Sequence, residues 1–212
     1  MFLYFFQNNP SAAVAFLLGL VIGITVHEAA HATSAYLLGD DTAYRDGRVT
    51  LNPASHLDVL GSLMLLMAGF GWGRPTPVVP SKLRGGIFGP VAVALAGPVS
   101  NLLIVTVCGA LYLIPAFQGG YLTLIVVMTA FTNALLFVFN LIPIPPLDGS
   151  KILFPFLPRA LDGFVDFMNQ YGPMILFGLI LVAIFIPGFS IFGFLLAPVR
   201  PLLELFGLPS IF

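Results

Sequence analysis

The run from Ser11 to Leu38 contains no lysine or arginine and a single acid, Glu28, which sits beside His27 and close to His31. As an α-helix this run extends about 40 Å at about 1.5 Å per residue, enough to cross a hydrocarbon core of about 30 Å with some tilt. Three further apolar stretches read the same way: about Ile87 to Pro115, about Tyr121 to Ile142, and the shorter Tyr171 to Ile186, which stops at Pro187-Gly188. Such runs leave few folds open, because in lipid every backbone N–H and C=O must be paired within the protein. Charged residues are 8% of the chain, against roughly 25% in soluble domains, and 58% are apolar with a mean hydropathy of +1.03. That is too little charge for a water-soluble surface and the reverse of what disorder requires. A net charge of -1 without a basic cluster excludes nucleic-acid binding. The lone cysteine, Cys108, excludes an internal disulfide and a cysteine zinc site.

Two other apolar stretches, Leu57 to Trp72 and Phe189 to Val199, are too short to cross and read as re-entrant or interfacial pieces. The positive-inside rule supports this. If the first of them dips in and returns, Arg45, Arg48, Arg74, Lys82, Arg84, Lys151, Arg159 and Arg200 all share one side, expected to be cytoplasmic. Residues 43–51 and 74–80 are expected to be extended, the second because Pro75, Pro77 and Pro80 forbid regular helix. The opening MFLYFFQNNP lacks a basic n-region, so no cleavable signal is expected. The expectation is an all-α polytopic membrane protein, with about four to six membrane helices and short extended or re-entrant segments around an active site. Residues 1–212 are expected to form one integral-membrane domain, with a core at about 11–150 and C-terminal membrane helices at about 171–208.

His27-Glu28-Ala29-Ala30-His31 is an H-E-x-x-H pentad. On a helix, positions i and i+4 share a face, so two imidazoles can hold one metal ion; the glutamate, about 100° round, reaches a metal-bound water without being a ligand. Ionisable groups this far inside an apolar helix cost several kcal/mol unless paired or metal-bound, which makes a functional site the default reading. Gly19, Gly23, His27 and His31 recur every fourth residue, a small-residue track that lets another helix approach that face. A catalytic zinc takes three protein ligands and leaves a position open. Candidates for the third are His56, Asp148, Glu204 and the remaining loop acids. Asp148 follows Pro143, Pro145 and Pro146, where the chain leaves Asn140 in extended form. Such backbone at membrane depth is tolerated only when packed in protein or lining a water-filled cavity.

These residues resemble the site-2 protease family of intramembrane zinc metalloproteases, in a short form without PDZ or CBS modules. The likeness rests on His27-Glu28-x-x-His31 in an early membrane helix and on Asn140-x-x-Pro-x-Pro-x-Leu-Asp148-Gly149 after a later one. Between them, Gly97-Pro98-Val99-Ser100-Asn101 matches the family's G-P-x-x-N element. The resemblance implies one Zn²⁺ per chain held by His27, His31 and Asp148, a zinc-activated water with Glu28 as general base, and Asn140 and Asn101 helping to polarise the scissile carbonyl. It implies hydrolysis of peptide bonds in or near transmembrane segments of protein substrates, in a prokaryotic cell membrane, toward the cytoplasmic side. A regulatory membrane partner fits the same picture. An extended substrate needs an edge to pair with, expected from 43–51 or 74–80, with 43–51 favoured because it holds no proline. The competing reading is a membrane metal-ion transporter with an intramembrane His/Asp site. That reading wants ligands strung along a path and gives Glu28 no task.

Overall fold

A computed structural model describes residues 9–68, 71–185 and 191–209. The elements are helices: α1 (Pro10–Leu37), α2 (Thr42–Arg45), α3 (Val59–Ala68), α4 (Phe88–Tyr112), α5 (Gly120–Asn140), α6 (Asp148–Leu153), α7 (Asp162–Phe185) and α8 (Ile191–Leu205), with short 3₁₀ turns between. Four segments are long and apolar enough to cross a membrane: Pro10–Leu37, Phe88–Tyr112, Gly120–Asn140 and Arg159–Val182. The protein is an all-α polytopic membrane protein. α1 begins where its sequence says it should. Asn9 caps it by accepting the Ala12 N–H at 3.1 Å, and Pro10 occupies the first turn, where its missing N–H is no loss.

α1, α4 and α5 pack against one another and carry the site. Lipid is as apolar as leucine, so this association rests on close van der Waals fit and interhelical hydrogen bonds. The glycine track supplies the fit. A Cβ at Gly19 would lie 2.5 Å from Thr132 Oγ1, and one at Gly23 would lie 2.8 Å from Asn133 Oδ1, so α5 rests on the bare backbone of α1. Two fully buried asparagines supply the bonds. Asn101 Nδ2 donates to Gly23 O at 3.2 Å and Asn133 Oδ1 at 2.9 Å, and Asn133 Nδ2 donates to Thr129 O at 2.8 Å and Gly19 O at 3.3 Å. One polar chain thus ties three helices together. Phe16, Val105, Phe131 and Leu203 fill the apolar core at the end away from the histidines.

The two ends of the 57–72 stretch meet, as a piece that dips in and returns requires. Helix α3 is about 15 Å long at about 1.5 Å per residue. Leu57 and Gly73 form an antiparallel bridge, and Arg74 N–H donates to His56 O at 2.7 Å. The chain therefore comes back to where it left, and loops 39–56 and 73–86 share one end of the bundle.

Three boundaries differ from the sequence expectation. The fifth helix, expected from about Tyr171, begins at Asp162. Asp162, Asp166, Asn169 and Gln170 fall outside any apolar window, yet acids in a first turn suit the helix dipole. Its expected end at Ile186 lies outside the described residues. The sixth stretch, expected to end at Val199, continues to Leu205 through Pro198 and Pro201, with Arg200 Nε donating to Glu204 Oε1 at 2.9 Å. Prolines persist in membrane helices where neighbours satisfy the freed carbonyls. The third is the side of Arg200. A Cβ on Gly109, near the end of α4, would lie 2.5 Å from Phe206 O, and Leu208 joins the core of Ala12 and Ala13 from the start of α1. Arg200 is thereby placed with the end opposite the other seven bases. Counting charges along the sequence had no way to see α8 fold back onto α4 and α5.

Candidate metal centre and active site

His27 and His31 lie one turn apart on α1, buried against α4, their rings in edge-to-face contact with centroids 4.6 Å apart. The Nδ1 of His27 donates to Asn101 Oδ1 at 2.7 Å, and the Nδ1 of His31 donates to the Val93 carbonyl at 2.7 Å. Both acceptors are oxygens, and the Asn101 amide group is committed elsewhere, so each Nδ1 carries the hydrogen. In the neutral rings each Nε2 is then a bare lone pair. These two nitrogens sit 3.0 Å apart, and each is 3.1 Å from Asp148 Oδ2.

Two lone pairs and a carboxylate oxygen packed this closely repel one another unless a cation lies among them. Tetrahedral zinc with ligands at about 2.0–2.1 Å separates its ligand atoms by about 3.3–3.4 Å, so the triangle needs only a slight expansion to accept it. Space for the ion is provided by Gly97 on α4. A Cβ there would lie 2.6 Å from His27 Nε2 and closer still to His31 Nε2. The glycine leaves open the ground in front of both ligating nitrogens. Among the described residues, His27, His31 and Asp148 are the one group that meets metal-ligand geometry.

Asp148 reaches the site because the chain turns sharply after α5: residues 141–147 are turns and bends, tied by Ile144 N–H to Ile142 O and Leu147 N–H to Ile144 O, and not the extended exit expected from the prolines. Leu147 is extended (φ -66°, ψ 153°) and Asp148 opens α6. Ser150 Oγ donates to Leu147 O at 2.7 Å and stiffens the turn. A Cβ on Gly149 would lie 2.5 Å from Ile142 O and nearer to Leu141 O, so only glycine lets α6 press against the proline-rich exit. The carboxylate's second oxygen, Oδ1, meets the exposed Lys151 Nζ at 3.3 Å.

Glu28 faces the opposite wall. Its Oε2 accepts from Thr76 N at 2.9 Å and Thr76 Oγ1 at 2.7 Å, with Arg48 Nη2 at 3.9 Å. Thr76 belongs to the proline-flanked 74–80 segment, which has no regular structure through Val79, itself extended, and enters a 3₁₀ turn at Pro80, where the sequence expectation was an extended run. That segment is strapped down further along, where Asp40 Oδ2 accepts the Val79 N–H at 2.6 Å and Lys82 Nζ pairs with Asp41 Oδ1 at 3.2 Å. Burial pushes the pKa of Asp40 up, but the Thr42 hydroxyl, the Val79 and Thr42 amides and Lys82 more than offset it and leave the carboxyl below its ordinary value. A depressed pKa means that this anchor stabilises the fold above the ordinary carboxyl range and lets go only as pH falls through the lowered value. The expected pairing edge at 43–51 is absent: Thr42–Arg45 is helical and residues 46–47 form a turn. Asp41 precedes that helix, and Arg45 closes an i,i+4 pair with it at 2.5 Å. Among the described residues the 74–80 segment pairs in no sheet, since Thr76 and Val79 spend their amides on Glu28 and Asp40.

The other sequence candidates fall as follows. Asn101 stands behind His27, and its amide hydrogens go to Gly23 and Asn133, so it orients the His27 ring and has no hydrogen left for a substrate carbonyl. Replacing it with leucine removes the acceptor for His27 Nδ1. Zinc affinity should then fall about 10- to 100-fold, as is typical when a ligand's orienting partner is lost, and a chelator competition titration reads this directly. Asn140, at the end of α5, donates one amide hydrogen to Leu136 O at 3.0 Å, and the other has no partner among the described residues. His56 is buried, with Nε2 2.8 Å from Thr50 O, and takes no part in the metal group. Glu204 is paired with Arg200 on α8. Thr76, Arg48 and the Val93 carbonyl were not read from the sequence; only Thr76, trapped between two prolines, carried a local signal.

Comparison with known proteins places this geometry. The profile of peptidase family M50 matches residues 111–183. YwhC of Bacillus subtilis (strain 168), provisionally named a zinc metalloprotease, is 38% identical over 181 residues, covering 81% of this chain and 80% of its own. The chain belongs to peptidase family M50, the site-2 protease family. This M50 protease is also similar to Rip2 of Mycolicibacterium smegmatis, 29% identical over 74% of this chain and 62% of the relative. Rip2 of Mycobacterium tuberculosis (strain H37Rv) is 32% identical over 68% of this chain and 58% of the relative. Both carry the same provisional name. No solved structure matches. The chain is a zinc metalloprotease of the site-2 type, and its buried His/His/Asp group fits the metal that the family implies.

Proposed function

We propose that this protease hydrolyses peptide bonds in or near the transmembrane segments of membrane proteins, with Glu28 as general base. The observation that carries the reading is the position of the metal group inside a spanning helix: His27 lies ten residues before Leu37, about 15 Å into α1 at about 1.5 Å per residue. A substrate has to come to that depth within the bilayer. His27, His31 and Asp148 would hold zinc, which supplies Lewis-acid polarisation and a lowered pKa for water at the open position. The remaining work belongs to the protein. Asn101 and Val93 fix the imidazole tautomers so that both Nε2 atoms face the metal position. Glu28 takes the proton from the attacking water and delivers it to the departing amine. Asn140 offers its unused amide hydrogen to the carbonyl that becomes an oxyanion.

Seven bases sit at the end where α1 finishes and α4 begins, and the Phe88–Phe156 ring contact, with centroids 6.1 Å apart, brings the 143–161 loop to that end as well. By the positive-inside rule this end is cytoplasmic, and cleavage occurs toward it. A transporter would string ligands along a path; among the described residues one such group exists.

The test compares wild type with Glu28→Gln. Bound zinc should stay at one per chain, while cleavage of a single-span model substrate falls about 10²-fold or more. Undiminished cleavage by the zinc-loaded variant would sink the base assignment. Zinc flux into liposomes that survives the substitution would favour transport instead.

A further inference from the structure

Arg48 is 1% exposed and lies outside the spanning helices. Its Nη2 donates to the Arg74 carbonyl and stands 3.9 Å from Glu28 Oε2, while Nε and Nη1 are buried with no hydrogen-bond partner among the described residues. A buried guanidinium with two idle donors is costly, and such groups persist where the charge has a task. Burial draws the arginine's pKa down and Arg74 adds to that, while Glu28 and Asp46 oppose it.

The contacts around Glu28 are lopsided. Oε2 receives both Thr76 donors and faces Arg48, whereas Oε1 has no hydrogen-bond partner among the described residues. One oxygen is an anchor and the other is left for chemistry. Arg48 holds this asymmetry from two directions. It attracts Oε2 directly, and through the Arg74 carbonyl it fixes the chain two residues before Thr76. Pro75 and Pro77 have locked φ angles, so a shift at Arg74 is carried to Thr76 with little local relaxation.

We propose that Arg48 is a positioning residue for proteolysis: it fixes Glu28 through Oε2 and keeps Thr76 on the same oxygen, so that Oε1 is the one presented to exchange the proton. This rests on the assignment of Glu28 as general base. A displacement of about 1 Å at a reacting group can cost about 10²-fold in rate, so the effect should appear in turnover and not in metal loading.

The experiment measures zinc content, kcat and KM for Arg48→Met, Arg48→Lys and Glu28→Gln on a single-span substrate in detergent. Arg45→Met serves as a control that removes an exposed charge from the same loop. For Arg48→Met we expect zinc unchanged, KM within about twofold and kcat lower by about 10- to 100-fold. Arg48→Lys should regain at least about fivefold of that loss, because a cation near Oε2 is restored while the guanidinium's hydrogen bond to the Arg74 carbonyl is not. Wild-type kcat in Arg48→Met overturns the proposal. So does a loss that comes with zinc depletion, or equal kcat for the lysine and methionine variants, since either marks a purely structural role. Full cleavage by Glu28→Gln would instead overturn the general-base reading beneath it, whatever the arginine variants do.

Discussion

Gly97→Ala should bind zinc far below one equivalent and lose cleavage by more than about 10⁴-fold, because the added methyl takes the ground in front of both ligating nitrogens. The Cβ would sit 2.6 Å from His27 Nε2 and closer to His31 Nε2, well inside van der Waals contact. Neither ring has an easy retreat, since each is tied through Nδ1 to α4, by Asn101 and by Val93. Losing the metal removes several kcal/mol of transition-state stabilisation and the nucleophile it generates, and each 1.36 kcal/mol is tenfold in rate. The substitution is otherwise mild: alanine is the better helix former by about 1 kcal/mol, so α4 itself should not suffer. Zinc per chain, with circular dichroism to confirm helix content, decides the matter. An alanine variant with stoichiometric zinc and normal turnover would show that α4 moves aside and that the cradle is not what Gly97 provides.

Gly97 also shows where sequence reasoning reached its limit. It was visible as the first residue of a G-P-x-x-N element, but a glycine in a membrane helix usually means helix packing, as it does at Gly19 and Gly23. Only the three-dimensional approach of α4 to α1 reveals that its missing side chain faces two imidazoles. The pairing of the two histidines was legible, because His27 and His31 share a helix face by periodicity alone and an ionisable cluster in lipid demands an explanation. That the ends of the 57–72 stretch return to one place was expected from its length. Thr76, Arg48 and Asn101 were misread or unread for a common reason. Each acts through a contact between segments far apart in sequence, and no local pattern records which carbonyl or carboxylate a side chain will meet. The polar first turns of α7 were lost for a different reason, since an apolar window cannot see a helix that continues out of the membrane.

Asp148→Asn is the second substitution expected to abolish function, and it separates charge from shape. Asparagine has nearly the same volume and can enter the same turn, held by Ser150 and by the close approach at Gly149. What it lacks is the anion. Two neutral imidazoles and an amide oxygen leave a divalent ion uncompensated in a buried pocket, and an amide rotated the other way would aim N–H groups at the place where the ion must sit. Zinc affinity should drop more than about 100-fold, beyond the range for an orienting residue such as Asn101, with cleavage at background. Lys151→Met is the informative contrast. Lys151 touches only Oδ1 and its side chain is 61% exposed, so the pair is screened and worth about 1 kcal/mol or less. Its removal should change turnover by no more than about fivefold, with zinc retained. If the lysine variant instead lost zinc as completely as Asp148→Asn, the carboxylate would be held in place by that surface pair, and the turn built by Leu147, Gly149 and Ser150 would not be what delivers Asp148 to the metal.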